Sequence, residues 1–338
     1  MINEVYRLID AKQIQIDFVD EVIKNEVIIR PTYLSICAAD QRYYTGRRGL
    51  QAMKTKLPMA LIHEGVGEIL FDPNYEYRPG TKVVMIPNTP MEEKIGIREN
   101  YLRTSKFRAS GYDGFMQSFV FMRRDRIIPY EGINDRIAVM SELLSVAFNA
   151  IHQFHITANE NKQRIGIWGN GSLGFLTSLV LRKQYPNAQI FIMGTRQEKS
   201  DYFSFADGAY SIYHLPSNFK IDHAFECVGG QGSEDAINQI IDVVEPQGTI
   251  SLMGVSENKV AVNTRMVLEK GLTLIGNSRS GYEDFANAIQ FLIKYGDVQN
   301  YIKSIISQEV IIHNIQDIHY AFEEDLKNDF KTIMKWEI

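Results

Sequence analysis

The amino-acid sequence predicts an α/β fold in which a doubly wound parallel sheet is combined with a β-rich domain. The chain has 338 residues, and at about 150 residues per domain this length suggests two domains. A glycine-rich turn at residues 169–174 stands between a strand-like and a helix-like segment, which is the setting of a dinucleotide-binding turn. Residues 1–145 instead alternate short apolar segments with irregular loops, a pattern typical of a β-rich domain.

Composition excludes several classes of protein. The 36 Lys and Arg against 41 Asp and Glu give a net charge of −5 and a pI near 5.9, whereas a general nucleic-acid binder carries a basic excess. No apolar run approaches the roughly 18 residues of a membrane span, and the first residues lack the pattern of a signal peptide. Two cysteines are too few for a disulfide framework. We therefore expect a cytoplasmic protein with no membrane or nucleic-acid partner.

The β-rich part contains four strand-like segments in order. They are bounded by turn residues such as Pro58, Pro79-Gly80 and Pro87, which interrupt regular structure. The segments are EVIIRPTYLS, EGVGEILF, TKVVMIP and MQSFVFM.

Near residue 164 the pattern changes to alternating strands and helices. The strand RIGIWG precedes a segment with Leu173, Leu176 and Val180 at helical spacing. Five more short apolar segments follow, typical of buried parallel strands: QIFIMG, AYSIY, HAFECVG, GTISLMG and LTLIGN. The chain continues with an amphipathic segment, EDFANAIQFLIKYG, and a strand-like KTIMKWEI, and periodicity alone does not show which domain this end joins.

The glycine-rich turn has the form G-x-G-x-x-G. In such turns the first glycine permits the tight turn, the second lets the backbone approach a pyrophosphate, and the third allows helix and strand to pack closely. The helix N-terminus then faces the phosphates with unpaired N–H groups. The residues predicted to bind the cofactor are Gly169, Asn170, Gly171, Ser172, Leu173 and Gly174. The alternative is a glycine-rich turn without a ligand.

The end of the second strand of this domain indicates NADP(H). An NAD site usually places an acid about 20 residues after the motif, where it binds the ribose 2′-OH. Here Gly194 stands at that position, followed by Thr195 and Arg196, with Lys199 nearby. Arg196 suits bidentate binding of a 2′-phosphate. The alternative is that Arg196 and Lys199 are solvated surface charges.

Four residues offer donor atoms that zinc accepts. Cys37, His63, Glu64 and Glu142 supply a thiolate, an imidazole and two carboxylates. They are the predicted catalytic and metal-binding residues, around one catalytic zinc. Their wide separation in sequence leaves the alternatives of an inert thiol at Cys37 and a core histidine at His63.

The order of these signals resembles the zinc-dependent medium-chain dehydrogenase/reductase family over nearly the whole chain. The matching positions are Cys37 with Asp40, His63-Glu64 with Gly67, Gly80 with Lys82 and Val83, Asp113-Gly114-Phe115, and Glu142. The resemblance implies a GroES-like catalytic domain at residues 1–147 and 285–338, with a Rossmann NADP-binding domain at 148–284. Family members are commonly dimers or tetramers, which implies a homodimer or homotetramer.

The chain also departs from the family pattern. Residues 88–110 contain no cysteine, so the structural zinc of many relatives is not expected. Ile62 replaces the glycine before His63-Glu64. Ala39 and Arg42 stand where the family's alcohol dehydrogenases have relay groups, and a water held by Glu64 or Glu142 is the candidate proton source.

A basic segment follows Cys37 directly. Arg42, Tyr43, Arg47 and Arg48 are the predicted substrate-binding residues, because arginine suits recognition of a phosphate. The alternative is an exposed basic loop.

A closer resemblance concerns the substrate. The strings ICAADQRYYTGRR, SGYDGFMQ, HAFECVGG, VNTRMVLEKGLTLIG and SRSG are similar to ribulose-5-phosphate reductases, which supply ribitol 5-phosphate for CDP-ribitol synthesis. The resemblance implies NADPH, zinc, a ribitol-5-phosphate cytidylyltransferase as functional partner, and a product used for teichoic acid or capsule. The expected reaction is reduction of D-ribulose 5-phosphate to D-ribitol 5-phosphate. The alternatives are a sorbitol- or xylitol-type polyol dehydrogenase and a non-catalytic NADPH-binding protein.

Overall fold

The computed structural model describes all residues 1–338. By their contacts they form two compact units, one of residues Met1–Ser145 with Ser280–Ile338 and one of Val146–Arg279. None of the helices combines the length and the apolar composition that a membrane crossing requires.

The chain forms eighteen strands and ten α-helices. The strands are β1 (Ile2–Asp10), β2 (Gln13–Asp20), β3 (Val27–Ser35), β4 (Met59–Ala60), β5 (Glu64–Phe71), β6 (Lys82–Met85), β7 (Asn88–Thr89), β8 (Lys106–Phe107), β9 (Val120–Met122), β10 (Ile127–Pro129), β11 (Arg164–Trp168), β12 (Gln189–Gly194), β13 (Gly208–Ser211), β14 (His223–Glu226), β15 (Thr249–Leu252), β16 (Thr273–Gly276), β17 (Ile306–Ile312) and β18 (Lys331–Trp336). The helices are α1 (Ala38–Tyr44), α2 (Leu50–Lys56), α3 (Asp135–Ala138), α4 (Ser141–Thr157), α5 (Ser172–Gln184), α6 (Ser233–Val243), α7 (Thr264–Lys270), α8 (Tyr282–Lys294), α9 (Gly296–Ser304) and α10 (Ile315–Asp325).

The first unit is built on a sheet of order β10-β6-β5-β3-β18-β17, to which β9 adds by pairing with β3. The C-terminal strand β18 runs antiparallel to β3, with Ile333 opposite Ser35. On the other side of β3, Glu64 of β5 is opposite the same Ser35. The end of β3 therefore lies between the beginnings of β5 and β18, and this register brings together residues that are far apart in sequence.

The core of the first unit is closely packed around this sheet. Leu34, Met85 and Phe115 are fully buried, and a Cβ added at Gly65 would lie 2.8–2.9 Å from their side chains. Interiors of this density transmit small displacements rather than absorb them. The start of β5 is therefore a rigid base for the side chains that follow it.

The second unit contains one six-stranded sheet of order β13-β12-β11-β14-β15-β16, and every neighbouring pair is parallel. The strand order reverses between β11 and β14, and doubly wound sheets bind ligands outside the carboxyl ends of the strands at such a switch point. The predicted doubly wound parallel sheet is confirmed, with all six predicted strands present.

Candidate active site

A buried cluster of polar groups lies at the end of β3 in the first unit. Cys37 follows β3 and caps α1. His63 and Glu64 stand at the beginning of β5, and Glu142 lies in the first turn of α4. The donor atoms of Cys37, Asp40 and His63 lie within 4.8 Å of one another, as do those of His63, Glu64 and Glu142. The structure therefore brings the four predicted metal-binding residues together, with His63 belonging to both groups.

Asp40 connects the segment that carries Cys37 to the segment that carries His63. Its carboxylate is 1% exposed and accepts hydrogen bonds from the backbone N–H of Cys37 at 3.2 Å and of Ile62 at 3.0 Å. Asp40 Oδ2 also faces His63 Nδ1 at 3.5 Å. Burial would lower the pKa of His63, but Asp40 and then Cys37 raise that pKa well above its usual range.

Ile62 adopts a left-handed backbone conformation with φ of 69°. This region is strained for a β-branched residue, at a cost of about 1–3 kcal/mol. The conformation is held from three sides, by Asp40 at the Ile62 N–H, by the Phe115 N–H at the Ile62 carbonyl and by complete burial of the side chain. The site thus keeps the turn before His63 without the glycine typical of such turns.

Lys331 is a member of the site that the sequence analysis missed. Its ammonium donates to both carboxylate oxygens of Glu64, at 2.6 and 2.7 Å, and to the Ile36 carbonyl at 2.8 Å. Lys331 is 6% exposed and Glu64 is fully buried. Burial would lower the pKa of Lys331, but Glu64 raises it above its usual range. No local pattern distinguishes this lysine from a surface lysine, because its partner lies 267 residues away.

Charge in the cluster is unbalanced. Three buried carboxylates, those of Asp40, Glu64 and Glu142, outnumber the two buried cationic groups, the Lys331 ammonium and the His63 imidazole with its raised pKa. Burial, with the added effect of Glu64, raises the pKa of Glu142 to about 7, although His63 and Lys331 oppose this rise. A thiol, an imidazole and a carboxylate around an excess of buried negative charge are a donor set that suits zinc.

The basic segment after Cys37 is only partly at the surface. Arg47 is exposed and Arg42 and Arg48 are half-buried. The N–H groups of Arg47 and Arg48 both donate to the Arg42 carbonyl, at 2.8 and 3.0 Å. Tyr43 is 1% exposed, and the Arg48 guanidinium lies 5.1 Å from the centre of its ring. Burial within the core argues against the predicted substrate contact of Tyr43.

The glycine motif in the second unit has the geometry its sequence predicts. Gly169 has φ of +112° and its N–H donates to the Met193 carbonyl at 2.8 Å. A Cβ at Gly174 would overlap the Gly169 carbonyl oxygen, whereas a Cβ at Gly171 would meet nothing within 4 Å. Ser172 and Leu173 begin α5. The space beside Gly171 is therefore open where a pyrophosphate would approach the helix N-terminus.

The turn after β12 carries the residues predicted to contact the 2′-phosphate. Thr195 and Arg196 are exposed, and Lys199 is buried within a 3₁₀ helix, Gln197–Phe203. Asn170 Nδ2 donates to the Arg196 carbonyl at 2.6 Å. The structure therefore connects the glycine motif directly to this turn.

Comparison with known proteins gave matches over the whole chain. Residues 23–132 match the alcohol dehydrogenase GroES-like domain and residues 135–336 match the glucose dehydrogenase C-terminus. The chain is 51% identical to ribulose-5-phosphate reductase of Bacillus spizizenii, covering all of both chains. It is 49% identical to ribulose-5-phosphate reductase 1 of Staphylococcus aureus, covering 99% of each. The crystal structure of S. aureus TarJ in complex with NADPH, 45% identical, superposes with a TM-score of 0.90 over the full length of both chains.

Proposed function

Because this chain belongs to the ribulose-5-phosphate reductase family, within the medium-chain dehydrogenases, we propose that it reduces D-ribulose 5-phosphate to D-ribitol 5-phosphate with NADPH. The observation that carries the reaction type is the buried cluster centred on His63. The substrate and the cofactor rest on the relatives, since the relatives that are 51% and 49% identical to this chain are ribulose-5-phosphate reductases and TarJ was solved with NADPH.

The residues present fit a single zinc ion, held by Cys37, His63 and Glu142. A zinc ion bound there would act as a Lewis acid on the ketone oxygen of the substrate. Asp40 Oδ2 faces His63 Nδ1 and so leaves the other ring nitrogen for a metal, as in other carboxylate–histidine pairs. Glu64 has both oxygens bonded to Lys331, so its part is to hold Lys331 and the turn at Ile36 rather than to bind metal.

Reduction of the ketone also requires a proton at the new hydroxyl oxygen. Ala39 and Arg42 supply no relay hydroxyl or imidazole. Of the two carboxylates that could hold a water, Glu64 is occupied by Lys331. A water beside Glu142 is therefore the proposed proton source.

The nicotinamide cofactor occupies the second unit in this proposal. Gly169, Gly171 and Gly174 shape the pyrophosphate site, and Thr195 with Arg196 receives the 2′-phosphate. Bound NADPH would supply the hydride for C2 of the sugar, and the chain's own task is to orient the two reactants and exclude water.

The remaining parts of the proposal follow the family. The chain works in the cytoplasm as a homodimer or homotetramer, and its product is the substrate of a ribitol-5-phosphate cytidylyltransferase that supplies teichoic acid or capsule synthesis.

The test is the rate of NADPH oxidation with ribulose 5-phosphate, compared with NADPH oxidation with ribulose and with reduction of NADP+ and NAD+ by sorbitol and xylitol. We expect turnover with the phosphorylated ketose, loss of turnover after chelation and recovery with zinc. Preferred turnover of free polyols would instead indicate a polyol dehydrogenase. NADPH binding without any turnover by the zinc-loaded protein would indicate a non-catalytic protein.

The basic segment is tested by Arg47→Ala, because Arg47 is its most exposed arginine. Loss of a charged hydrogen bond to phosphate raises the KM for ribulose 5-phosphate about tenfold, with little change for free ribulose. Arg265→Ala is the matched control, since Arg265 is an exposed arginine paired with Glu269 on α7. Equal losses on both sugars would exclude phosphate recognition by Arg47.

A further inference from the structure

The last residue of β12 lacks a side chain for a steric reason. Gly194 has an ordinary backbone conformation, since it is not among the glycines with positive φ. The backbone would therefore accept any residue there. A Cβ at Gly194 would lie 2.6 Å from Asn170 Oδ1 and still closer to Asn170 Cγ and Nδ2. The three nearest atoms all belong to Asn170, so the side chain of Asn170 is the obstacle.

Asn170 is not free to move aside. It is 8% exposed, and its Nδ2 donates to the Arg196 carbonyl at 2.6 Å. Its chain neighbour Gly169 is bonded to the Met193 carbonyl at 2.8 Å. The backbone next to Asn170 is thus bonded to β12, and the side-chain amide of Asn170 is bonded to the turn after β12.

This contact lies at the position that distinguishes the two nicotinamide dinucleotides. In doubly wound sheets an acidic residue at the end of the second strand accepts from the ribose 2′-OH of NAD, and it would repel the 2′-phosphate of NADP. Any such acid at position 194 needs a Cβ in the volume that Asn170 fills. The same Asn170 amide also holds the backbone of Arg196, the residue that carries the guanidinium.

We propose that Asn170 is a specificity-determining residue for the dinucleotide. By filling the space beside Gly194 it excludes an acidic side chain there, and by bonding the Arg196 carbonyl it shapes the turn that receives the 2′-phosphate. This inference rests on the proposed use of NADPH. It assigns selectivity to a coupled pair, Asn170 and Gly194, rather than to the missing acid alone.

The test is a double-mutant cycle read by dissociation constants for NADPH and NADH and by melting temperature. The variants are N170A, G194D and N170A/G194D. We expect G194D alone to melt at a lower temperature and to bind both dinucleotides weakly, because the introduced carboxylate side chain overlaps that of Asn170. Removing the Asn170 side chain as well restores the melting temperature and tightens NADH binding about tenfold relative to G194D, as coupled neighbours do. N170A alone weakens NADPH binding more than NADH binding.

A second pair keeps the test decisive if G194D does not fold. Alanine at position 194 adds only the Cβ, so G194A should lower the melting temperature and N170A/G194A should recover it. Additive effects in both pairs, or a G194D protein that melts like the wild type and binds NADH tightly, would overturn the inference. A wild-type protein that binds NADH as tightly as NADPH would instead overturn the cofactor in the proposed function, so the two failures are distinguishable.

Discussion

Replacing Lys331 with methionine removes the ammonium from the candidate site and keeps the length of the side chain. The ammonium lies 2.6 and 2.7 Å from the two oxygens of Glu64, and both residues are at least nine-tenths buried. Removing one partner of a buried ion pair leaves the other charge uncompensated, at a cost of about 3–5 kcal/mol. We therefore expect K331M to lower the free energy of unfolding of the first unit by that amount.

The chain provides both the assay and the control. Its two tryptophans are Trp168 in the second unit and Trp336 on the same strand as Lys331, so urea unfolding of a W168F background reports on the first unit through Trp336. Lys335 lies on that strand with 40% of its side chain exposed, paired with Glu337, and K335M should change the free energy of unfolding far less than K331M does, because exposed ion pairs contribute little.

A second substitution isolates the charge left behind by K331M. Adding Glu64→Gln to K331M removes the uncompensated carboxylate and should recover part of the lost stability. If K331M lowered the free energy of unfolding no more than K335M does, the Glu64–Lys331 pair would not be a buried ion pair, and the explanation of how Glu64 is held would be refuted.

Three other predictions concern separate parts of the chain. Burial lowers the pKa of His223 from 6.5 to about 4, so at intermediate pH the unfolded chain binds a proton there that the folded chain does not. The free energy of unfolding should therefore fall as pH drops from about 6.5 to 4, by roughly 2–3 kcal/mol in all, and urea unfolding of H223N should lack this component. Gly174→Ala should lower the melting temperature, because its Cβ would overlap the Gly169 carbonyl, whereas Gly171→Ala has open space and should leave the melting temperature unchanged while weakening NADPH binding; equal effects on melting would contradict this contrast. Cys37→Ser should reduce zinc content, measured by mass spectrometry of the dialysed protein, from about one ion per chain to a small fraction, and an unchanged content would remove Cys37 from the ligand set.

The parts of the fold that the sequence predicted are those encoded locally. Each of the six strands of the second unit is a short apolar segment between turns, and the turn at 169–174 has its own flanking strand and helix. The N-terminal hairpin of β1 and β2 was not predicted, because its second strand is largely exposed and lacks a continuous apolar face.

The parts of the site that the sequence did not predict depend on distant partners. Lys331 is buried only because β18 returns to pair with β3. The sequence did not indicate that Tyr43 is buried, because the nearby Asp40 and Gln41 are polar. In the structure these two polar residues are themselves buried on α1. Gln41 is buried because its amide donates to the Phe322 carbonyl of α10, a contact that no short-range pattern contains.

Hydride transfer from NADPH to C2 of ribulose 5-phosphate is the step on which the proposed function depends. The most direct test uses the zinc-loaded protein with NADPH deuterated on both faces of nicotinamide C4, followed by mass spectrometry of the product. We expect ribitol 5-phosphate with one deuterium, located at C2. No deuterium in a pentitol phosphate, or label found only in an unphosphorylated polyol, would contradict the proposed reaction.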